Sequence, residues 1–80
     1  MKVIIDIYLA LDDINKCVKV FSQDITKDVN KSMNFDQPAY SVTAFEGLCN
    51  KIAEDFHTEW EIANDLGGRT YAKVKIMMEY

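Results

Sequence analysis

Two alternating segments near the end of the chain, separated by a pair of glycines, place the strongest constraint on its fold. Apolar and polar side chains alternate over residues 57–62 and again over 72–76, with Gly67 and Gly68 between the two segments. Alternation with a period of two is typical of strands with one buried face, and glycine readily takes the positive φ of a tight turn. The pattern predicts a β-hairpin in which residues 69–80 are extended and pair with their predecessor.

Charge suggests the register of this predicted hairpin. Placing Glu61 opposite Lys73 also brings Glu59 opposite Lys75, so that each acid faces a base. Opposite charges across an antiparallel pair stabilise it, and the register decides which side chains share a face. Lys73 and Lys75 are therefore expected on the outer face of the sheet.

The first eleven residues predict a further strand. Four apolar residues alternate with a mixed set that also contains Ile4 and Tyr8. The apolar row is Val3, Ile5, Ile7 and Leu9, and the alternating row is Lys2, Ile4, Asp6 and Tyr8. The second face of this strand is therefore only half polar.

Between these strands the apolar spacing changes to three and four residues, the period of an amphipathic helix. One apolar stripe runs through residues 12–33 and a second runs through 45–56. A continuous helix over 12–33 would be roughly 33 Å long, so a break is expected near residues 22–26. Gly47 lies inside the second helix, where glycine costs about 1 kcal/mol relative to alanine, and it is interpreted as a point of close packing.

The resulting order is β-α-α-β-β, an α+β two-layer sandwich in which a three-stranded sheet lays one face on two helices. The chain has 80 residues, of which 49% are apolar. A chain of this length buries only about 60% of its extended surface, so its large apolar side chains must share one core. Residues 1–80 are therefore expected to form a single domain.

A second arrangement splits the first helix. Strands at 29–35 and 39–42, with a helix at 69–80, would give a βαββαβα open-faced sandwich. This arrangement resembles the HPr phosphocarrier family in the order and lengths of its helices and strands. The turn after the first strand, residues 10–14, lacks the histidine that accepts phosphate in that family.

Charge and cysteine content limit the partners and the compartment. Thirteen acids and nine bases give a formal charge of -4, which repels phosphate backbones. No stretch approaches the roughly 18 apolar residues that cross a bilayer, and the first ten residues do not form a secretory signal. Cys17 and Cys49 match neither a zinc pattern nor a disulfide framework. The chain is therefore expected to be cytoplasmic, without a membrane or direct nucleic-acid partner.

Residues that carry catalysis or bind metals are sparse. His57 is the only histidine, and with Glu59 it supplies only two candidate ligands on one strand face. Cys17 and Cys49 lie on predicted helical stripes, where a free thiol acts as a small hydrophobe. Asp6 lies between two isoleucines, but alternation turns it toward the outer sheet face, where Lys73 or Lys75 is its expected ion-pair partner. The sequence thus predicts no catalytic residue, no metal site and no cofactor.

The outer face of the predicted sheet is the best candidate for a binding surface. It combines aromatic, methionine and charged side chains, whereas solvated sheet faces usually carry fewer large apolar groups. The candidate residues are Ile4, Tyr8, Tyr71, Lys73, Lys75 and Met77. The sequence predicts a small acidic, non-enzymatic interaction module, an inhibitor or adaptor that covers part of another protein or of a second copy of itself.

Three other classes stay open on the sequence alone. One is nucleic-acid binding through Lys73, Lys75 and Arg69 on the predicted hairpin, which a salt titration tests. A small-ligand carrier or enzyme would need a pocket between sheet and helices, lined by Asp6, His57 or a cysteine. An acidic mimic of nucleic acid would block a nucleic-acid-binding protein, and the negative net charge would speed its docking on a basic partner.

Overall fold

Three strands form one antiparallel sheet with β1 at its centre, in the order β2-β1-β3. A computed structural model describes residues 1–13, 16–35 and 42–77, without the side chains of residues 34 and 35. The elements in this part of the chain are β1 Lys2–Leu9, β2 Lys19–Asp24, α1 Thr26–Phe35, α2 Val42–Ala63 and β3 Thr70–Met77. The predicted α+β class, with a three-stranded sheet and two helices, is confirmed. Along the chain these elements run β-β-α-α-β, because two segments differ from their predicted structure.

The core lies between the inner face of β1 and the two helices. Val3, Ile5 and Ile7 are fully buried, as alternation along the first strand predicts. The helices and the turn before α1 complete the buried cluster with Ile25, Val29, Cys49 and Ala53. Burying one such aliphatic side chain stabilises the fold by about 1.5–3 kcal/mol, so this apolar row determines which face of the sheet the helices cover.

The prediction of a strand over residues 57–62 is wrong, because these residues continue α2. Phe56 and Trp60 are four positions apart and therefore lie on one side of the helix. Phe21 on β2 packs against both rings, with centroid distances of 6.1 Å to Phe56 and 5.6 Å to Trp60. Burial of this aromatic surface favours the helix over the local alternation. Glu59 and Glu61 consequently lie on α2, and the predicted hairpin register is wrong as well.

The extended structure predicted for the last segment is confirmed over Thr70–Met77. This strand pairs with β1, which places Lys73 opposite Asp6 and Lys75 opposite Ile4. The helix that the alternative βαββαβα arrangement requires at 69–80 is therefore excluded over the described part of that segment, and 29–35 is helical rather than extended. Residues 78–80, and residues 39–41 of the alternative strand, lie outside the described residues.

The prediction of a helix over 12–33 is wrong for its first half, where residues 19–24 form β2. Val20 and Phe21 favour an extended backbone, and β2 pairs with the edge of β1 opposite to the one that pairs with β3. The expected break near residues 22–26 is confirmed, since α1 begins at Thr26. Residues 14 and 15 lie outside the described residues.

Side-chain hydrogen bonds fix the start of α1 against the sheet. The Asp24 carboxylate accepts the backbone N–H of Thr26 at 2.9 Å and also its hydroxyl. The Thr26 hydroxyl oxygen accepts the backbone N–H of Val3 at 2.9 Å. The two hydrogen bonds from Thr26 lower the pKa of Asp24 below its ordinary value, and the bond from the hydroxyl has the larger effect.

The end of α2 turns sharply into β3. Leu66 N–H bonds to Glu61 C=O at 2.9 Å and Asp65 N–H bonds to Ile62 C=O at 3.2 Å, the pair of bonds that defines a Schellman motif. Asp65 takes the left-handed position of this motif, with a φ of 55°. Gly68, with a φ of 77°, then supplies the positive φ expected of the double glycine, although the turn joins a helix to a strand.

Close packing at Gly47 is not observed. A Cβ atom built on this residue meets nothing within 4 Å, so no neighbouring element packs against the glycine. The interpretation of Gly47 as a packing contact is therefore wrong.

Candidate functional site

The sheet surface that faces away from the helices holds all six residues predicted to bind a partner. We call it the outer face. Strand pairing sets Ile4 opposite Lys75 and Tyr8 opposite Tyr71, while Met77 lies opposite Lys2. The whole face on β1 and β3 consists of Lys2, Ile4, Asp6, Tyr8, Tyr71, Lys73, Lys75 and Met77. The placement of these residues is observed, and their role in binding stays a prediction.

Two tyrosines form the aromatic centre of the outer face. The rings of Tyr8 and Tyr71 stack with centroids 5.4 Å apart and planes 17° from parallel. Lys73 Nζ lies 5.4 Å from the Tyr8 centroid and 5.9 Å from that of Tyr71. Both distances fall within the range of a cation–π contact, so the ammonium group is held above the tyrosine pair.

Asp6 is engaged with neighbours on β2. The hydroxyl of Ser22 donates to Asp6 Oδ1 at 2.7 Å, and Lys19 Nζ lies 3.9 Å from the same oxygen. The Asp6 side chain is only 14% exposed, whereas that of Lys19 is 53% exposed. The carboxylate is thus partly withdrawn from solvent while the lysine head groups around it remain accessible. This agrees with the prediction that Asp6 faces outward, with Lys19 rather than Lys73 or Lys75 as its ion-pair partner.

Among the described residues, the outer face carries more positive than negative groups although the whole chain is acidic. Lys19 joins this face through its pairing with Tyr8, and Asp24 joins it opposite Ile4. Four lysines, at positions 2, 19, 73 and 75, therefore share the face with the carboxylates of Asp6 and Asp24. Both carboxylates accept hydrogen bonds from neighbouring residues. The acids that make the net charge -4 lie mostly elsewhere, so charge is separated across the molecule.

The prediction that Cys17 lies on the apolar stripe of a helix is wrong. The residue borders the outer face instead. Its sulfur lies 3.8 Å from the hydroxyl oxygen of Tyr71, and the cysteine is exposed. This contact is the main cause that raises the pKa of the Tyr71 hydroxyl. Cys49, in contrast, is fully buried as expected, and burial raises the pKa of its thiol.

A second polar cluster joins the end of α2 to the start of β3. The Thr70 hydroxyl donates to Glu61 Oε2 at 2.7 Å and lies 2.8 Å from His57 Nε2, which therefore donates to the Thr70 oxygen. Glu61 also accepts the backbone N–H of Thr70 at 3.3 Å. These hydrogen bonds, chiefly that of the Thr70 hydroxyl, lower the pKa of Glu61, and the nearby His57 lowers it further.

An open groove of about 400 Å³ lies beside this cluster. Among the described residues its lining comes from α2 and β3 alone. The lining residues are Asn50, Ala53, Glu54, His57, Thr70, Tyr71, Ala72 and Val74. The groove therefore follows the side of β3 that is not paired with β1.

The candidate catalytic and metal-binding residues are not brought together. His57 and Glu59 lie two positions apart on a helix, so they do not share a face as they would on a strand. His57 lines the groove under β3, Asp6 is on the outer face, and Cys49 is in the core. Within the described ranges, no three His, Cys, Asp or Glu side chains are placed to hold a metal ion.

Sequence reasoning missed Thr70 and Glu61 as a linked pair. The i,i+4 spacing of His57 and Glu61 is a helical signature, but the alternation over 57–62 points to a strand. Thr70 has no sequence feature that distinguishes it from other threonines in the chain. Its role follows only from the turn that brings β3 back along α2.

Comparison with protein-family models, with curated proteins and with solved structures finds no match to this chain. In the described part of the chain, neither helix has the length and apolar character needed to span a membrane.

Proposed function

We propose that this protein is a small interaction module that binds an acidic segment of another protein through its outer face, and acts by binding rather than by catalysis. Covering such a segment suits an inhibitor or an adaptor. A cytoplasmic setting belongs to the same proposal, because Cys17 and Cys49 are both free thiols, as is usual in a reducing compartment.

The separation of charge is the observation that carries this proposal. Four lysines stand on one face of a chain whose net charge is -4. Four lysines against the two carboxylates of Asp6 and Asp24 leave a positive net charge on the described part of that face. Complementary potentials steer association and suppress unsuitable partners, which favours a partner rich in Asp and Glu.

The apolar part of the same face suits a protein partner. Tyr8 and Tyr71 are half-buried and already stacked, so little side-chain freedom remains to be lost on binding. Ile4 and Met77 lie on the same face, and tyrosine and methionine are enriched at protein interfaces. Lysines around an aromatic centre thus combine charge attraction with contact area.

A displayed library of random peptides tests the proposal directly. Selection on the native protein should enrich sequences that contain Asp or Glu together with apolar residues. Charge reversal by Lys75→Glu should weaken binding of the selected peptides by about tenfold or more. Lys51→Glu is the matched control, because Lys51 is an exposed lysine on α2 and its reversal should change binding little.

Three results would overturn the proposal. Enrichment of basic peptides, or equal effects of Lys75→Glu and Lys51→Glu, would show that the outer face is not the binding surface. Tight binding of a single-stranded oligonucleotide, with a steep salt dependence, would instead assign the lysines and tyrosines to nucleic-acid recognition.

A further inference from the structure

The backbone of β3 has an open edge beside the groove. Among the described residues the sheet order is β2-β1-β3, so this strand of eight residues pairs with β1 on one side, and no described strand lies along its other side. An edge strand presents unpaired N–H and C=O groups and is a template for a further strand. The positions of these backbone groups and the charges of the side chains along the edge determine which sequence such a strand must have.

Hydrogen-bond phase shows which residues direct their backbone groups to the open edge. Ala10 N–H bonds to Arg69 C=O at 2.9 Å, and opposed residues in an antiparallel pair alternate between bonded and non-bonded positions. At intervals of two, residues 71, 73, 75 and 77 therefore bond to β1. The groups of Thr70, Ala72, Val74 and Ile76 point away from it. The contact from Thr70 N–H to Glu61 Oε2 is an independent sign of this phase.

Glu61 closes one end of the open edge. It occupies the Thr70 N–H and hydroxyl, and His57 stands beside them. The edge groups that remain toward the other end belong to Ala72, Val74 and Ile76. Ala72 and Val74 also line the groove of about 400 Å³, which gives room for side chains on the inner side of an added strand.

Charge along the edge selects the added strand. Lys73 and Lys75 are exposed and alternate on the outer face of β3, so an added strand places every second side chain opposite them. A second copy of this chain is a poor occupant. Antiparallel pairing of β3 with itself, centred on Lys73 or on Val74, sets lysine opposite lysine. A strand with Asp or Glu at alternate positions instead places opposite charges against both lysines.

We infer that the open edge of β3 binds an extended segment of a partner protein in which acidic residues alternate with apolar ones. Its backbone pairs with Ala72, Val74 and Ile76, and its acidic side chains lie across from Lys73 and Lys75. The inner side chains of the segment enter the groove between β3 and α2. This inference rests on the proposed function and adds the backbone mode in which the acidic segment binds.

The test uses a short capped peptide in which Glu alternates with Val, and the full chain as it stands. Binding should slow amide hydrogen exchange of Ala72, Val74 and Ile76 by about tenfold or more, since these amides become paired. N-methylation of the peptide residues that face the edge should weaken binding by about tenfold or more, because it removes the donors. A peptide with Lys in place of Glu should not bind. Lys75→Glu should weaken binding of the Glu peptide by about tenfold or more, because only Lys73 then lies across from its acidic side chains. The position of residue 75 opposite Ile4 leaves the Asp6 contacts intact.

The outcomes separate this inference from the proposed function. If the Glu peptide binds in a Lys75-dependent manner but N-methylation and amide exchange show no effect, strand addition is overturned while an acidic partner on the outer face stands. If neither this peptide nor a non-alternating peptide of the same composition binds, both are overturned. Protection of the β3 amides in the protein alone, rising with its own concentration, would assign the edge to a second copy and overturn the acidic segment.

Discussion

Glu61, in the last turn of α2, accepts hydrogen bonds from both the backbone N–H and the hydroxyl of Thr70, the first residue of β3. A single carboxylate thus joins the end of the helix to the start of the strand. The lowered pKa of Glu61 reports that its charged form is the one that these contacts favour.

Replacing Thr70 by valine should lower stability in a pH-dependent way. Because the pKa of Glu61 is lower in the folded than in the unfolded state, its stabilising contribution is present at neutral pH and is lost as pH falls through the folded pKa. Urea unfolding should therefore show a deficit for Thr70→Val at pH 7 that shrinks under acidic conditions. Thr70→Ser keeps the hydroxyl and should retain most of the pH dependence. A deficit that is the same at both pH values would contradict this role for Glu61.

The left-handed conformation of Asp65 predicts a specific order of variants. At a φ of 55° a side chain is strained, and glycine avoids that strain at some entropic cost in the unfolded chain. Asp65→Gly should be more stable than Asp65→Ala by about 1 kcal/mol, with the native protein between them. Thermal unfolding of the three proteins measures this order. An alanine variant as stable as the glycine variant would argue against strain at this position.

The placement of the outer face could be predicted although the partner strand of β3 could not. Residues 71, 73, 75 and 77 fall on one side of any strand that contains them, since alternation depends on the backbone alone. Ile4 and Tyr8 follow the same rule on β1. The six predicted residues therefore share a face in the structure even though β3 pairs with β1 rather than with residues 57–62.

The segments that sequence reasoning missed are those where two periodicities compete. Residues 57–62 alternate, yet Phe56 and Trp60 also continue a helical stripe, and only the contact with Phe21 on β2 decides between them. In the same way residues 19–24 fit a helical stripe until pairing with β1 is considered. Both decisions depend on contacts between residues far apart in the chain. The polar cluster at Thr70 forms only when residues 57–62 are helical, so it could not be predicted from the sequence either.

Gly47 offers a stabilising substitution. It lies inside α2, and a Cβ atom there meets nothing within 4 Å. Gly47→Ala should raise the free energy of unfolding by about 1 kcal/mol, because alanine loses less backbone freedom in a helix. Denaturant unfolding measures the gain. Ala53→Gly, at a buried position on the same helix, should have the opposite sign and a larger effect. No gain at position 47 would mean that α2 is frayed there.

The two thiols should differ sharply in reactivity. Cys17 is exposed, whereas Cys49 is fully buried and burial raises the pKa of its thiol. Under native conditions an aromatic disulfide reagent should modify one thiol per chain, and the second should react only on unfolding. Cys17→Ser should abolish the fast reaction. Rapid modification of both thiols would show that the core around α2 opens easily.

Lys73 should be coupled energetically to the tyrosine pair before any partner binds. Its Nζ lies 5.4 Å from the Tyr8 ring centroid, and such contacts contribute about 0.5–1 kcal/mol at exposed sites. A double-mutant cycle of Lys73→Met and Tyr8→Leu should recover a coupling of this size, since the methionine keeps the stem and removes only the charge. The same cycle with Lys75→Met is the control, because Lys75 lies opposite Ile4 and should show no coupling to Tyr8. A lysine already held in place loses less freedom when a carboxylate approaches, so the coupling would lower the entropic cost of recognition. Equal coupling of both lysines would point to a general charge effect of the outer face, and zero coupling of Lys73 would leave its ammonium group mobile above the rings.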